Sequence, residues 1–555
     1  MEPHINAIAP GASSRTGVVA PLLPLTSNRV CAASTLALAQ EIGSQTESFL
    51  ARFARLKSRV LAKRPILRDI LRKRGGETLL EYASKYVDVN LNPPILQRQS
   101  ECLSVIREAS NERYGHDVAE SVVAQLEKYY FVSTADHVGP ITHPFFVNAN
   151  LLTALGIRER CNPALQSIIV LACANVSLNN SSFPRGLLFH TCKEGTLRQE
   201  RLSFLPSNCH SCSVYNFRPY TSAEIRKVEK RLTGLKKEGS VTVPVADRLQ
   251  SIIHEIYDRP EILACRSYRD QAARTNRALW KRLFEASNVQ MPQLLYLDQE
   301  DIVVRLLTRY HLDQDTVINH ILFDPAYERY VNEYFDGIFG SFSQEDATGT
   351  YLFWALPKGA KINQQLWRRG GELITADGSF RVTLNSDALR AAMLSGELIP
   401  SLLLTFITIC FYYGLKCLGG FNQVNYLTLM KNAYIKMNVD LGNYRSIEVC
   451  ARAQTKEICD GLTLAFLGYD GGRVALASGL DLILYGNNGS FDTLLRQGKE
   501  MTLEEALNPL MPEIYRISYD EKEREADLLS VTEKDINQLT SLDRKVKPCI
   551  TLPDT

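Results

Sequence analysis

Residues 129–144, YYFVSTADHVGPITHP, decide how the chain is read. The run Tyr129–Thr134 is short, apolar and rich in aromatic and β-branched residues, so it predicts a strand. It empties into a polar loop, 135–144, that carries Asp136, His137 and His143. The pattern recurs about one βαβ crossover later. Ile168–Ala172 predicts a second strand, and the loop 175–186 that follows holds Asn179, Asn180, Ser181, Ser182, Arg185 and Gly186. The segment between them, from Pro144 to Leu155, reads as a helix. A strand, helix, strand order predicts a parallel pair. Parallel strands release both loops at one edge, where open α/β sheets hold their ligands.

His143 precedes Pro144, and proline suits the first position of a helix while keeping its predecessor out of helical angles. His143 is therefore expected at a helix N-cap, where the positive end of the helix dipole favours a neutral ring. A neutral imidazole serves equally as a proton acceptor or a metal ligand. Asp136, His137 and His143 are the candidate catalytic residues. The same three side chains could instead hold a divalent metal, since two histidines and a carboxylate leave positions open for water or substrate. The plainer reading is a turn in which Asp136 accepts backbone amides.

In the second loop, Asn179, Asn180 and Ser182 supply short polar groups and Arg185 a planar donor suited to carboxylate or phosphate. A turn held by Asn and Ser caps explains the same residues. Asn422 and Gln423, after Gly419 and Gly420, are further candidate ligand contacts presented by a later domain, with a tight interhelix turn as the structural alternative. Neither a P-loop nor a dinucleotide-binding glycine pattern is present, so no nucleotide cofactor is expected. His190 and Cys192, two apart on a predicted strand, together with Cys209 and Cys212, form a candidate structural zinc set, against reduced thiols as the default.

The whole chain is expected to be mixed α/β: an N-terminal helical arm, a central domain with a partly parallel sheet, and a helix-rich C-terminal domain with short β-hairpins. At 555 residues it exceeds what one core usually spans. The expected divisions are a poorly ordered tail at 1–44, a basic helical arm and helices at 45–128, an α/β domain at 129–265, a mostly helical domain at 266–516, and a charged peripheral tail at 517–555. Hairpins are expected at 187–205 and 372–384.

Hydrophobic content of 45% and charged content of 22% are those of an ordinary globular protein. A net charge of +2 gives no global attraction to nucleic acid or to a membrane surface. Thirteen cysteines without a regular spacing, and no secretory leader, suggest a cytoplasmic protein with reduced thiols. The uncharged run 398–415, LIPSLLLTFITICFYYGL, is at the lower limit for crossing a bilayer, but Pro400 and the absence of flanking positive clusters favour a buried helix.

The leading functional expectation is an enzyme acting on a small anionic metabolite, a carboxylate or phosphate, through acid-base or metal-assisted hydrolysis or group transfer. The alternative is a binding or scaffold protein whose basic stretch, Arg52–Arg74, engages nucleic acid or an acidic partner.

Overall fold

The computed structural model describes residues 32–89, 93–180 and 182–554, and it folds as two compact units. Of these residues, 77–500 and 547–554 form the larger unit, and 32–76 with 501–546 form the smaller. Residues 1–31 of the expected tail, and Ser181, lie outside the described residues, whereas 32–44 belong to the helix Ala32–Lys63.

In the smaller unit Pro65 separates that helix from Pro65–Arg74, as its fixed φ and missing N–H require. Phe49, Phe53, Leu56 and Val60 recur at helical spacing and are all buried. The basic side chains find acids some 450 residues along the chain. Arg55 pairs with Glu525 and Asp527, Arg59 with Glu525 at 3.0 Å, Lys63 with Glu523 at 3.4 Å, and Lys57 with Glu504 at 2.5 Å. The segment after 517 thus contributes carboxylates to the helix, and it buries Leu528, Val531, Ile536 and Leu542.

The larger unit is built on five parallel strands: β1 (Phe131–Ser133), β2 (Ser167–Ala172), β3 (Gln293–Asp298), β4 (Lys416–Gly420) and β5 (Ile458–Asp460). They lie in the order β5-β4-β1-β2-β3. All four neighbouring pairs are parallel. β1 and β2 are fully buried and β3 is buried after Gln293, so their sequences read as apolar runs and not as alternation. The chain moves outward from β1 through β2 to β3, then returns to the far side of β1 for β4 and β5. The order therefore reverses between β1 and β4, the arrangement of a doubly wound sheet.

β1 and β2 are adjacent and parallel, as the two loops demanded. Their pairing continues past the strand ends: Cys173 N donates to Asp136 O at 2.9 Å, and Val138 N to Cys173 O at 2.8 Å. The helix Pro144–Arg160 connects them. β3 lies in a region that reads as helix, and β4 in one expected to continue the later helices. Lys416–Gly420 is instead hydrogen-bonded to β1 within the same sheet.

Both expected hairpins form. Gly186–Lys193 pairs with Thr196–Ser203, and Glu372–Ile374 with Arg381–Thr383. Run 398–415 is not one helix. Leu398–Pro400 is a strand paired with Phe353–Ala355, Ser401 caps the helix Leu402–Phe406, and a wider π-type turn, Ile407–Tyr412, follows. Most of this run is buried in the core, and no described helix is long and apolar enough to cross a membrane.

Candidate active site

Asp136 leaves the end of β1 with no exposed surface. Its Oδ2 accepts from Asn150 Nδ2 at 2.7 Å and from the Tyr296 hydroxyl, while Oδ1 is buried without a partner. Asn150 comes from the helix Pro144–Arg160 and Tyr296 from β3, so three elements converge on one carboxyl. Burial is the dominant effect and raises its pKa to about 7; the two hydrogen bonds pull the other way.

His143 occupies the N-cap of that helix at φ −65° and ψ 133°, and its Nδ1 accepts from Phe145 N at 3.3 Å. An accepting Nδ1 carries no proton, so the cap itself selects the neutral ring. Desolvation, then His137, then Arg201, hold its pKa down to about 4. His137 is likewise lowered to about 4 by desolvation, and its Nδ1 is buried without a partner. Both imidazoles contact Phe146, with ring centroids at 5.7 Å for His137 and 5.5 Å for His143. They are neutral across the physiological range, and with pKa values this low they are weak bases at pH 7.

The second loop packs directly on the first, since a Cβ on Gly139 would stand 3.1 Å from the Cα of Pro184. Asn276, from the helix Tyr268–Arg282, clamps the first loop by accepting from Ile141 N and donating to Gly139 O, each at 2.8 Å. Tyr268, from the same helix, donates to Pro184 O. Glu300 caps the start of the second loop by accepting the amides of Ala174 and Asn175 at 3.0–3.1 Å. Asn180 Oδ1 accepts from Ser182 N at 2.9 Å and from the Ser182 hydroxyl, and exposed Asn179 accepts from Ser177. Asn179, Asn180 and Ser182 thus form the self-capped turn that was the plainer reading of this loop.

Arg185 differs from its neighbours. Its guanidinium carbon lies 5.5 Å from the Phe183 ring centroid, and that of Arg201, from the hairpin strand Thr196–Ser203, lies 5.1 Å from the same centroid. Two cations sharing one ring are at most about 11 Å apart, and repulsion from Arg201 adds to the burial that lowers the pKa of Arg185. Among the described residues neither is in an ion pair. Arg185 Nε is buried without a partner, and Arg201 donates only to the Gln199 side-chain oxygen at 2.8 Å. Phe183 has φ +51°, a left-handed conformation that costs a bulky residue energy and that marks functional sites more often than ordinary loops. Gly186 is needed for a different reason from the ligand approach its position suggested. A Cβ there would meet Leu202 O at 2.0 Å, so it allows the two hairpin strands to close.

Gln423 is not a free ligand contact. Its Nε2 donates to Thr134 Oγ1 at 2.6 Å, tying the helix Phe421–Asp440 to the end of β1, and part-buried Asn422 lies beside it. The side chains of Gln423 and Asp460 also fill the space beside Gly419 and Gly420, where the order reversal would otherwise open a crevice. A cavity of about 450 Å³ lies elsewhere, at the end of β3, walled by Arg113, Cys265, Asp270, Arg274 and Asp298. Arg113 is there neutralised by Asp298 and Asp270 at 2.9 and 2.8 Å.

Neither candidate metal set is assembled: among the described residues no group of three or more His, Cys, Asp and Glu side chains is placed to hold an ion. Asp136 turns to Tyr296 and Asn150, while His143 turns its Nδ1 to its own helix. His190 is engaged by Asp481, at 2.6 Å from Nδ1, and Cys192 forms a backbone bridge with Asp554. Cys209 lies on a short turn with Cys212 beside it. Among the described residues no cysteine is joined in a disulfide.

The residues that sequence reasoning missed are Arg201, Tyr296, Asn150, Glu300 and Asp481. Arg201 could have been found by pairing the predicted hairpin, because its register sets Arg201 opposite Leu188. The other four carry no local signal. No protein-family model matches the chain, and no curated protein matches it significantly.

Proposed function

We propose that the protein is an enzyme acting on a small anionic metabolite, a carboxylate or phosphate, by acid-base hydrolysis or group transfer at the joined loops. The observation that carries this reading is the Arg185–Phe183–Arg201 cluster: two guanidinium groups on one ring with no counter-charge, beside two neutral imidazoles. Two like charges on one ring repel, and an anion between them reverses the sign of that interaction. Asp136 supports the same reading, since a carboxyl near pKa 7 is suited to proton transfer at neutral pH. Of the basic side chains in Arg52–Arg74, Arg55, Lys57, Arg59 and Lys63 are paired with acids of the same unit.

Calorimetric titration with inorganic phosphate and with citrate tests the proposal. Arg185→Gln and Arg201→Gln are each expected to weaken binding at least tenfold, or about 1.4 kcal/mol, for loss of one charge-assisted contact. Unchanged affinity in both variants overturns it.

A further inference from the structure

His190 and Asp481 form a buried pair that neither the zinc expectation nor the chemistry above uses. Asp481 is fully buried and caps its own helix, Gly479–Tyr485, by accepting from Ser478 N at 2.8 Å. Its Oδ1 accepts from His190 N at 2.7 Å, and its Oδ2 faces His190 Nδ1 at 2.6 Å. A carboxylate oxygen only accepts, so Nδ1 carries the proton and Nε2 is the free position of the ring. Nε2 makes no hydrogen bond among the described residues, and it is not among the buried unpartnered atoms, so it reaches the surface of a residue that is only 7% exposed. Tyr485 fixes the backbone beneath it by donating to His190 O at 2.8 Å.

The hairpin connects this imidazole to the cationic cluster. His190 stands directly opposite Gln199, and Leu188 opposite Arg201, so all four side chains leave the same face. His190 and Arg201 are diagonal neighbours, about 7–8 Å apart along that face. Gln199 bridges the gap, since its side-chain oxygen receives the Arg201 guanidinium. A continuous row runs from His190 past Gln199 and Arg201 to Phe183 and Arg185.

We propose that His190, oriented by Asp481, is the proton-transfer group of the anion site and that the substrate is an ester of a small anion. This rests on the anion-site reading above and deepens it by geometry: Asp136 has no exposed surface, whereas His190 leaves the hairpin face that carries Arg201. In the reaction, Nε2 takes a proton from water as the water oxygen bonds to the carbonyl carbon or phosphorus of the ester. The bond from that centre to its leaving oxygen breaks, and the leaving oxygen receives the proton from Nε2. Arg185 and Arg201 hold the anionic group, and Asp481 is a positioning residue. No oxidant or reductant is consumed.

The full-length protein labelled with imidazole ¹⁵N-histidine tests this, with His190→Gln assigning the resonance. The expected spectrum shows His190 protonated at Nδ1, an Nε2 resonance that shifts on saturation with inorganic phosphate, and loss of that shift in Arg201→Gln. Asp481→Asn is expected to redistribute the proton between the two nitrogens while phosphate affinity changes less than threefold. An Nε2 resonance that stays fixed while calorimetry records phosphate binding dependent on Arg185 and Arg201 overturns the His190 assignment alone. Protonation at Nε2 in the wild type does the same. Absence of phosphate binding overturns the anion site and this inference together.

Discussion

Replacing Asp136 by Asn tests the buried carboxyl without changing its shape. In the unfolded chain this group titrates near 3.8, and in the fold burial raises it to about 7. Between those values the folded state holds one more proton on this group than the unfolded state, so the group's contribution to stability is largest below pH 4, falls as pH rises toward 7, and levels off above. The shift of about three units corresponds to roughly 4 kcal/mol over the whole window, and to about 3 kcal/mol between pH 5 and pH 8. No reduction for solvent screening applies, because the side chain has no exposed surface. An amide at this position keeps an oxygen for Tyr296 and Asn150 and carries no charge at any of these pH values. Asp136→Asn should therefore lack this component: it should be the more stable protein at pH 8, with the advantage shrinking as the pH approaches 4. Glu300, also raised by burial, titrates in both proteins and cancels in the comparison. Urea unfolding followed by tryptophan fluorescence is the assay, since Trp280, Trp354 and Trp367 are the protein's three tryptophans and all lie in the larger unit. Parallel pH profiles for the two proteins, or a variant that is less stable at pH 8, would refute the account of Asp136 as a carboxyl held neutral by burial.

Two further outcomes follow from local geometry. His143→Ala should cost about 1 kcal/mol in the same unfolding assay by removing the N-cap acceptor, and His143→Asn should recover most of it, because Asn caps well. Gly186→Ala should cost about 1–3 kcal/mol, since the added methyl meets backbone at Leu202 and Ser203 and the strands must separate; a loss below 0.5 kcal/mol would show that the hairpin yields without strain.

The legible parts of this protein were those with short-range causes. Pro144 announced the helix start and made His143 its cap, the turn at 193–195 announced the hairpin, and the strand, helix, strand order placed β1 beside β2. The strand β3 was hidden because a buried parallel strand has no alternation to distinguish it from a helical segment, and Gln293–Asp298 runs straight into the helix Gln299–Tyr310. β4 was hidden for the same reason, at the end of an apolar run that Pro400 and Ser401 break into a strand and a short helix.

The candidate site divides along the same line. Sequence by itself determined that Asp136, His137, His143 and Arg185 would leave one sheet edge, because parallel pairing follows from the order of elements and the loops follow from the strands. Only the tertiary structure decided what each side chain meets there. Arg201 reaches Phe183 through hairpin register, Tyr296 reaches Asp136 from a strand about 160 residues further on, and Asp481 reaches His190 from nearly 300 residues away. Hydrogen bonds and charge repulsion act over a few ångströms of space whatever the separation along the chain, so the partners that set a residue's protonation and orientation leave no mark in the residues beside it.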